Sequence, residues 1–81
     1  MHRMNSGPAD GTQTITISAE PIELCQLLKF AGLTASGGEA KQVIAAGLVT
    51  VNGETDTRKR RKLLAGDRVT FGNHTLVVAV G

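Results

Sequence analysis

The chain has 81 residues, 41% of them hydrophobic and 20% charged, with ten glycines, one cysteine and a net charge of +2. That length fits one small domain, whose modest core leaves little volume for a deep, walled active site. A single cysteine excludes an internal disulfide, and apolar stretches interrupted by charge or glycine exclude a helix that spans a bilayer.

Residues 1–12 lack apolar periodicity and carry Ser, Gly, Pro, Asn and Asp, so they are expected to form a disordered leader to a single domain over 13–81. No apolar core of a secretory signal follows Met1, which makes the cytoplasm the expected compartment. Thr14 to Ser18 alternates strictly and predicts a half-buried strand with Ile15 and Ile17 inward. A helix is predicted from about Glu20 to Ala31, capped by Ser18 or Glu20, with Pro21 in its first turn, where a missing N–H costs nothing. Its apolar stripe is Leu24, Leu27, Leu28 and Ala31, and Gly32 is its expected stop.

A second helix is predicted from Gly37 to Ala46, opened by a capping box of Ser36 and Glu39. Ala40, Val43, Ile44 and Gly47 repeat the i, i+3, i+4, i+7 spacing, with Gly47 as the stop. Leu48 to Val51 reads as a strand, followed by the turn pair Asn52-Gly53. After Leu63-Leu64 and the turn Ala65-Gly66-Asp67, two strands, Arg68 to Phe71 and His74 to Val80, flank Gly72-Asn73 as a hairpin. The last strand aligns Leu76, Val78 and Val80 on one face. These elements imply an α+β architecture, with two helices packed on one face of a small, mainly antiparallel sheet.

Charge is concentrated. Arg58, Lys59, Arg60, Arg61 and Lys62 are five consecutive cations, and the other four cations against seven acidic residues leave the rest of the chain at −3. Such a run is either an exposed, solvated loop or an edge that contacts phosphates. Ser36-Gly37-Gly38 poses a similar choice. Gly costs roughly 1 kcal/mol relative to Ala inside a helix. Two glycines at a helix start are therefore either a loose cap or a bare backbone whose free N–H groups donate to a phosphate. Lys41, a turn further along, would face the same ligand or solvent.

Nothing points to catalysis. Cys25 lies beside the apolar stripe and is expected to be a buried small hydrophobe. His2 and His74 have no partner at the spacing of a triad or a zinc site, Glu39 is explained by capping and Asp67 by its turn. No metal and no cofactor is expected. Phe30 and Phe71, both at positions expected to be core, are the whole aromatic complement. Without an exposed aromatic platform, a nucleic-acid ligand would be read by shape and phosphate, which favours folded RNA over a single strand. No clear recognition helix rich in Arg, Asn or Gln points to duplex DNA.

The order Leu24..Leu27-Leu28-Lys29, Gly32-Leu33, Ser36-Gly37-Gly38-Glu39-Ala40-Lys41, Ile44, Gly47-Leu48-Val49, Val51-Asn52-Gly53, Arg58-Lys59 and Gly66-Asp67 resembles the S-four-type RNA-binding domain, also known as the αL RNA-binding motif. Within that family it looks like the stand-alone bacterial YbcJ-type proteins. The likeness runs from about Glu20 to Val80, and the combination of S-G-G-E-A-K, V-N-G and R-K is what makes it specific. It implies two helices on a small curved sheet and binding of structured RNA through two segments. These are the start of the second helix (Ser36, Gly37, Gly38, Lys41) and the basic turn (Arg58, Lys59, Arg60, Arg61, Lys62). Many larger members carry a basic residue where Gly37 stands, and a lysine–proline where Arg58-Lys59-Arg60 stands, so this chain shifts weight onto its basic run.

The expected function is that of a small, non-enzymatic, monomeric RNA-binding protein, holding ribosomal or transfer RNA by phosphate contacts, free or on ribosome particles. The competing expectation is a protein-interaction module whose basic loop docks on an acidic partner surface.

Overall fold

The computed structural model describes residues 12–81. In chain order they form β1 (Thr12–Ile17), β2 (Ile22–Glu23), α1 (Leu24–Phe30), α2 (Gly37–Ala45), β3 (Val49–Val51), β4 (Glu54–Thr55), β5 (Lys62–Leu63), β6 (Arg68–Phe71) and β7 (His74–Val80). The leader expected over residues 1–12 lies outside the described residues except for Thr12, which opens β1.

The main sheet has the order β1-β7-β6-β3-β4. β7-β6, β6-β3 and β3-β4 are antiparallel, the first and last of these pairs joined by tight hairpins, whereas β1 and β7 are parallel. Alternation along the strands puts Ile15, Ile17, Val49, Val51, Val69, Leu76 and Val78 into one core. The helices close that core with Leu24, Leu27, Leu28, Ala40 and Ile44. The result is an α+β domain with two helices against a mixed, mainly antiparallel sheet. Val80, expected on the buried face, is 45% exposed, since the last residue of a strand has neighbours on one side only.

The first helix starts four residues later than its sequence suggests. Ile22 and Glu23 are drawn into an antiparallel pair with Leu63 and Lys62, so Pro21 stays outside the helix. Neither Ser18 nor Glu20 caps it. Glu23 is the N-cap, its N–H donating to Gln26 Oε1 at 3.3 Å, and the Glu20 carboxylate instead accepts the Ala65 N–H at 2.6 Å. α1 ends as expected. Gly32 adopts φ +79°, its N–H donates to the Lys29 carbonyl, and the Leu33 N–H reaches the Leu28 carbonyl, each at 3.0 Å. That pair of bonds is a Schellman closure, and Gly47 repeats it at the end of α2.

Asn52 and Gly53 both have positive φ, as the tight β3–β4 turn requires. The Asn52 side chain also ties that turn to the next, accepting the Arg68 N–H at 3.0 Å and donating to Asp67 Oδ1 at 3.2 Å.

Candidate nucleic-acid interface

The start of α2 is built by local bonds. Ser36 Oγ accepts the Glu39 N–H at 3.1 Å, while the Glu39 carboxylate accepts the N–H of Ala35 at 2.6 Å rather than that of Ser36. The expected capping box is thus half formed, with its return bond displaced by one residue. Thr34, buried, donates its hydroxyl to the Ser36 carbonyl at 3.1 Å and holds the approach to the helix. The first N–H groups of any helix lack intrahelical acceptors. Among the described residues none accepts from Gly37 or Gly38. A Cβ on Gly37 would meet nothing within 4 Å, and one on Gly38 only Ser36 Oγ at 3.8 Å. The protein's own packing therefore does not demand glycine at either position, and the backbone there is left open to an outside group.

The basic run wraps the start of α1. The N–H groups of Leu24 and Cys25 donate to the carbonyls of Arg61 and Lys59 at 2.8 and 3.1 Å, which satisfies donors that the helix itself cannot. Asp56 pins the loop from below. Its carboxylate, 6% exposed, accepts from the Arg58 N–H at 2.9 Å, Arg58 Nε at 3.1 Å, Arg58 Nη2 at 2.8 Å and Arg61 Nη1 at 2.7 Å. The hydrogen bonds from the Arg58 side chain lead in holding the Asp56 carboxyl well below the usual carboxylate range; burial opposes them and Arg61 adds to them.

The five cations are consequently not equivalent. Arg58 keeps 71% of its side chain exposed while paired, Arg61 only 29%. Lys59, Arg60 and Lys62 are exposed and make no ion pair among the described residues.

The tertiary structure brings part of both segments together. A shallow recess of about 290 Å³ is lined by Gly37 and Lys41 of α2, Arg60 of the basic run and Lys29 of α1, with Glu23, Cys25 and Gln26 forming its wall. Arg60 thus reaches the start of α2 across more than twenty residues of chain. Lys29 is the member that sequence reasoning did not assign a role. Its signal was its place on α1 outside the apolar stripe, next to the helix end that leads to α2. Cys25 is buried, with its thiol 3.9 Å from Glu23 Oε1.

Phe30 requires a correction. Expected in the core, it is 66% exposed, because it is not a member of the i, i+3, i+4, i+7 set that starts at Leu24. Phe71 does pack against the core. Among the described residues no helix is long and apolar enough to cross a membrane.

The S4 domain family model matches residues 15–79. YbcJ of Escherichia coli (strain K12) is 46% identical over 66 residues, spanning 80% of this chain and 94% of that protein. The "Probable ribosome maturation protein RlbA" of Bacillus subtilis (strain 168) is 44% identical over 66 residues, 78% of this chain and 93% of its own. The tyrosine–tRNA ligase of Burkholderia thailandensis is 40% identical over 68 residues, which are 84% of this chain but 16% of the ligase. The solution structure of YbcJ from E. coli, described as revealing an αL motif involved in RNA-binding, aligns with a TM-score of 0.64 at 40% identity. That alignment covers 98% of this chain and 95% of that one.

Proposed function

This chain belongs to the S4 domain family, and on that premise we propose that it is a small RNA-binding protein that holds structured RNA chiefly by its phosphates. The observation that carries the reading is the shared recess, where an open helix start and three cations from three segments converge. The Gly37 and Gly38 N–H groups take one phosphate, favoured by the positive end of the α2 dipole. Ser36 sets the helix start that aims them. Lys29, Lys41 and Arg60 flank that phosphate, while Lys59, Lys62 and the exposed face of Arg58 follow the backbone onward. Arg61 acts mainly by ordering the loop through Asp56.

The RNA is ribosomal or transfer RNA. The relative named for ribosome maturation supports the first, and the stretch shared with a tyrosine–tRNA ligase supports the second. The protein works as a monomer in the cytoplasm, free or on ribosome particles, and carries out no catalysis. Its contacts position RNA by shape and charge rather than by sequence.

The test is a fluorescence anisotropy titration with a structured ribosomal RNA fragment and with duplex DNA of equal charge. The wild type is compared with a variant whose residues 58–62 are neutralised. Tighter binding to RNA that the variant loses supports the reading. Equal binding to both polymers, or binding to neither, overturns it.

A further inference from the structure

Phe30 is the most exposed of the large hydrophobic residues in the described chain. It lines a recess of about 470 Å³ together with Ile22, Gln26 and Lys29. Gln26 and Lys29 also line the recess that holds Gly37, Lys41 and Arg60. The two recesses therefore adjoin, with Gln26 and Lys29 common to both, so that an uncovered aromatic ring lies beside the phosphate-binding end.

We propose that Phe30 is a stacking platform for one unpaired base of the RNA whose phosphates lie in the neighbouring recess. This rests on the RNA-binding reading and narrows its target to a helical RNA with a bulged or looped-out nucleotide. Bases inside a duplex are stacked on both faces, and the deep major groove of A-form RNA is closed to side chains. A base in a bulge or loop, unlike one inside the duplex, can offer its face to an isolated ring. Gln26 completes the subsite: its Oε1 accepts the Glu23 N–H, which leaves its amide NH2 free to donate to the base edge. A second copy of the chain is a poor occupant. One aromatic side chain supplies about 150–250 Å², whereas a stable interface buries on the order of 1,200–2,000 Å².

Two RNA hairpins with the same number of phosphates and the same tightly stacked tetraloop provide the test, one with a fully paired stem and one with a single bulged 2-aminopurine in its stem. The wild type is expected to bind the bulged hairpin about tenfold more tightly, the scale of one base–aromatic stack. Phe30→Ala removes that preference and leaves affinity for the paired hairpin and the salt dependence unchanged, while Phe30→Tyr retains the preference. The 2-aminopurine fluorescence changes on binding the wild type and not on binding Phe30→Ala. Equal wild-type affinity for the two hairpins, or a preference that survives Phe30→Ala, overturns the proposal while the RNA-binding reading stands. A wild-type dimer that Phe30→Ala converts to monomer also overturns it, because the ring is then covered by a second copy. Failure to bind either hairpin removes the RNA-binding reading, and the platform with it.

Discussion

Arg61 Nη1 lies 2.7 Å from Oδ2 of Asp56, a carboxylate that is otherwise buried. The contact turns one cation of the basic run inward, and the same carboxylate holds Arg58 through its backbone N–H and its guanidinium. The loop that presents Lys59, Arg60 and Lys62 is thereby fixed by an acidic residue that no phosphate would touch. It is anchored further by the Lys59 and Arg61 carbonyls at the start of α1 and by the pairing of Lys62 with Glu23.

Replacing that anchor separates charge from geometry. Asp56→Ala raises the net positive charge by one, so a purely electrostatic interface would bind RNA more tightly. The expected result is weaker binding, because the loop loses its order. Stability falls by about 1–3 kcal/mol, the scale of lost charge-assisted hydrogen bonds. Urea denaturation and anisotropy titration on the same variant read both effects, and tighter binding would show that loop geometry is irrelevant.

The same carboxyl gives a pH signature. Its folded pKa is depressed, chiefly by the Arg58 hydrogen bonds, below its ordinary value of 3.8. The unfolded chain therefore binds the proton first as pH falls. The stabilisation is fully present above about pH 5 and fades as pH drops below about 4 towards the folded pKa. Urea midpoints for the wild type and Asp56→Asn should differ by a constant amount between neutrality and mild acid. The gap should then narrow at lower pH, and a gap that widens on acidification would contradict the assignment.

Gly37→Ala should move stability and affinity in opposite directions. No atom lies within 4 Å of the added Cβ, and alanine reduces the freedom of the unfolded chain. Stability should rise by up to about 1 kcal/mol. RNA affinity should fall, because the methyl stands where a phosphate approaches the backbone. An unchanged affinity would mean that the helix start is not part of the interface.

Salt dependence counts the phosphate contacts. With about four to six of them, log affinity should fall with log salt at a slope near −3 to −5. Lys29→Gln, Lys41→Gln and Arg60→Gln should each flatten that slope by about 0.7–0.9 while leaving thermal stability in place. A Lys29→Gln slope equal to wild type would remove α1 from the interface.

Legibility from sequence followed the range of the interaction. The start of α2 was visible in Ser36 and Glu39, and both helix ends in Gly32 and Gly47, because caps are made by atoms a few residues apart. The β3–β4 and β6–β7 turns were visible for the same reason. The start of α1 was not, since Ile22 and Glu23 are claimed by residues forty positions later, and a strand of two residues carries no period. The exposure of Phe30 is not legible in its hydrophobicity, because burial on α1 depends on angular position relative to the Leu24, Leu27 and Leu28 stripe.

By itself the sequence determined the two amphipathic helices, the alternating strands, the bare helix start at Gly37-Gly38 and the concentration of charge at 58–62, all of which follow from composition and short-range periodicity. The tertiary structure alone decided which of those cations are free. It paired Arg58 and Arg61 with Asp56, carried Arg60 to Lys29, Lys41 and Gly37, and left Phe30 uncovered beside them. The physical reason is that the meeting of Arg60 with α1 and α2 depends on which distant segments the packed core brings within a few ångströms, while the Asp56 pairs, two and five residues apart, depend on the loop conformation that the start of α1 holds, which no periodic pattern encodes.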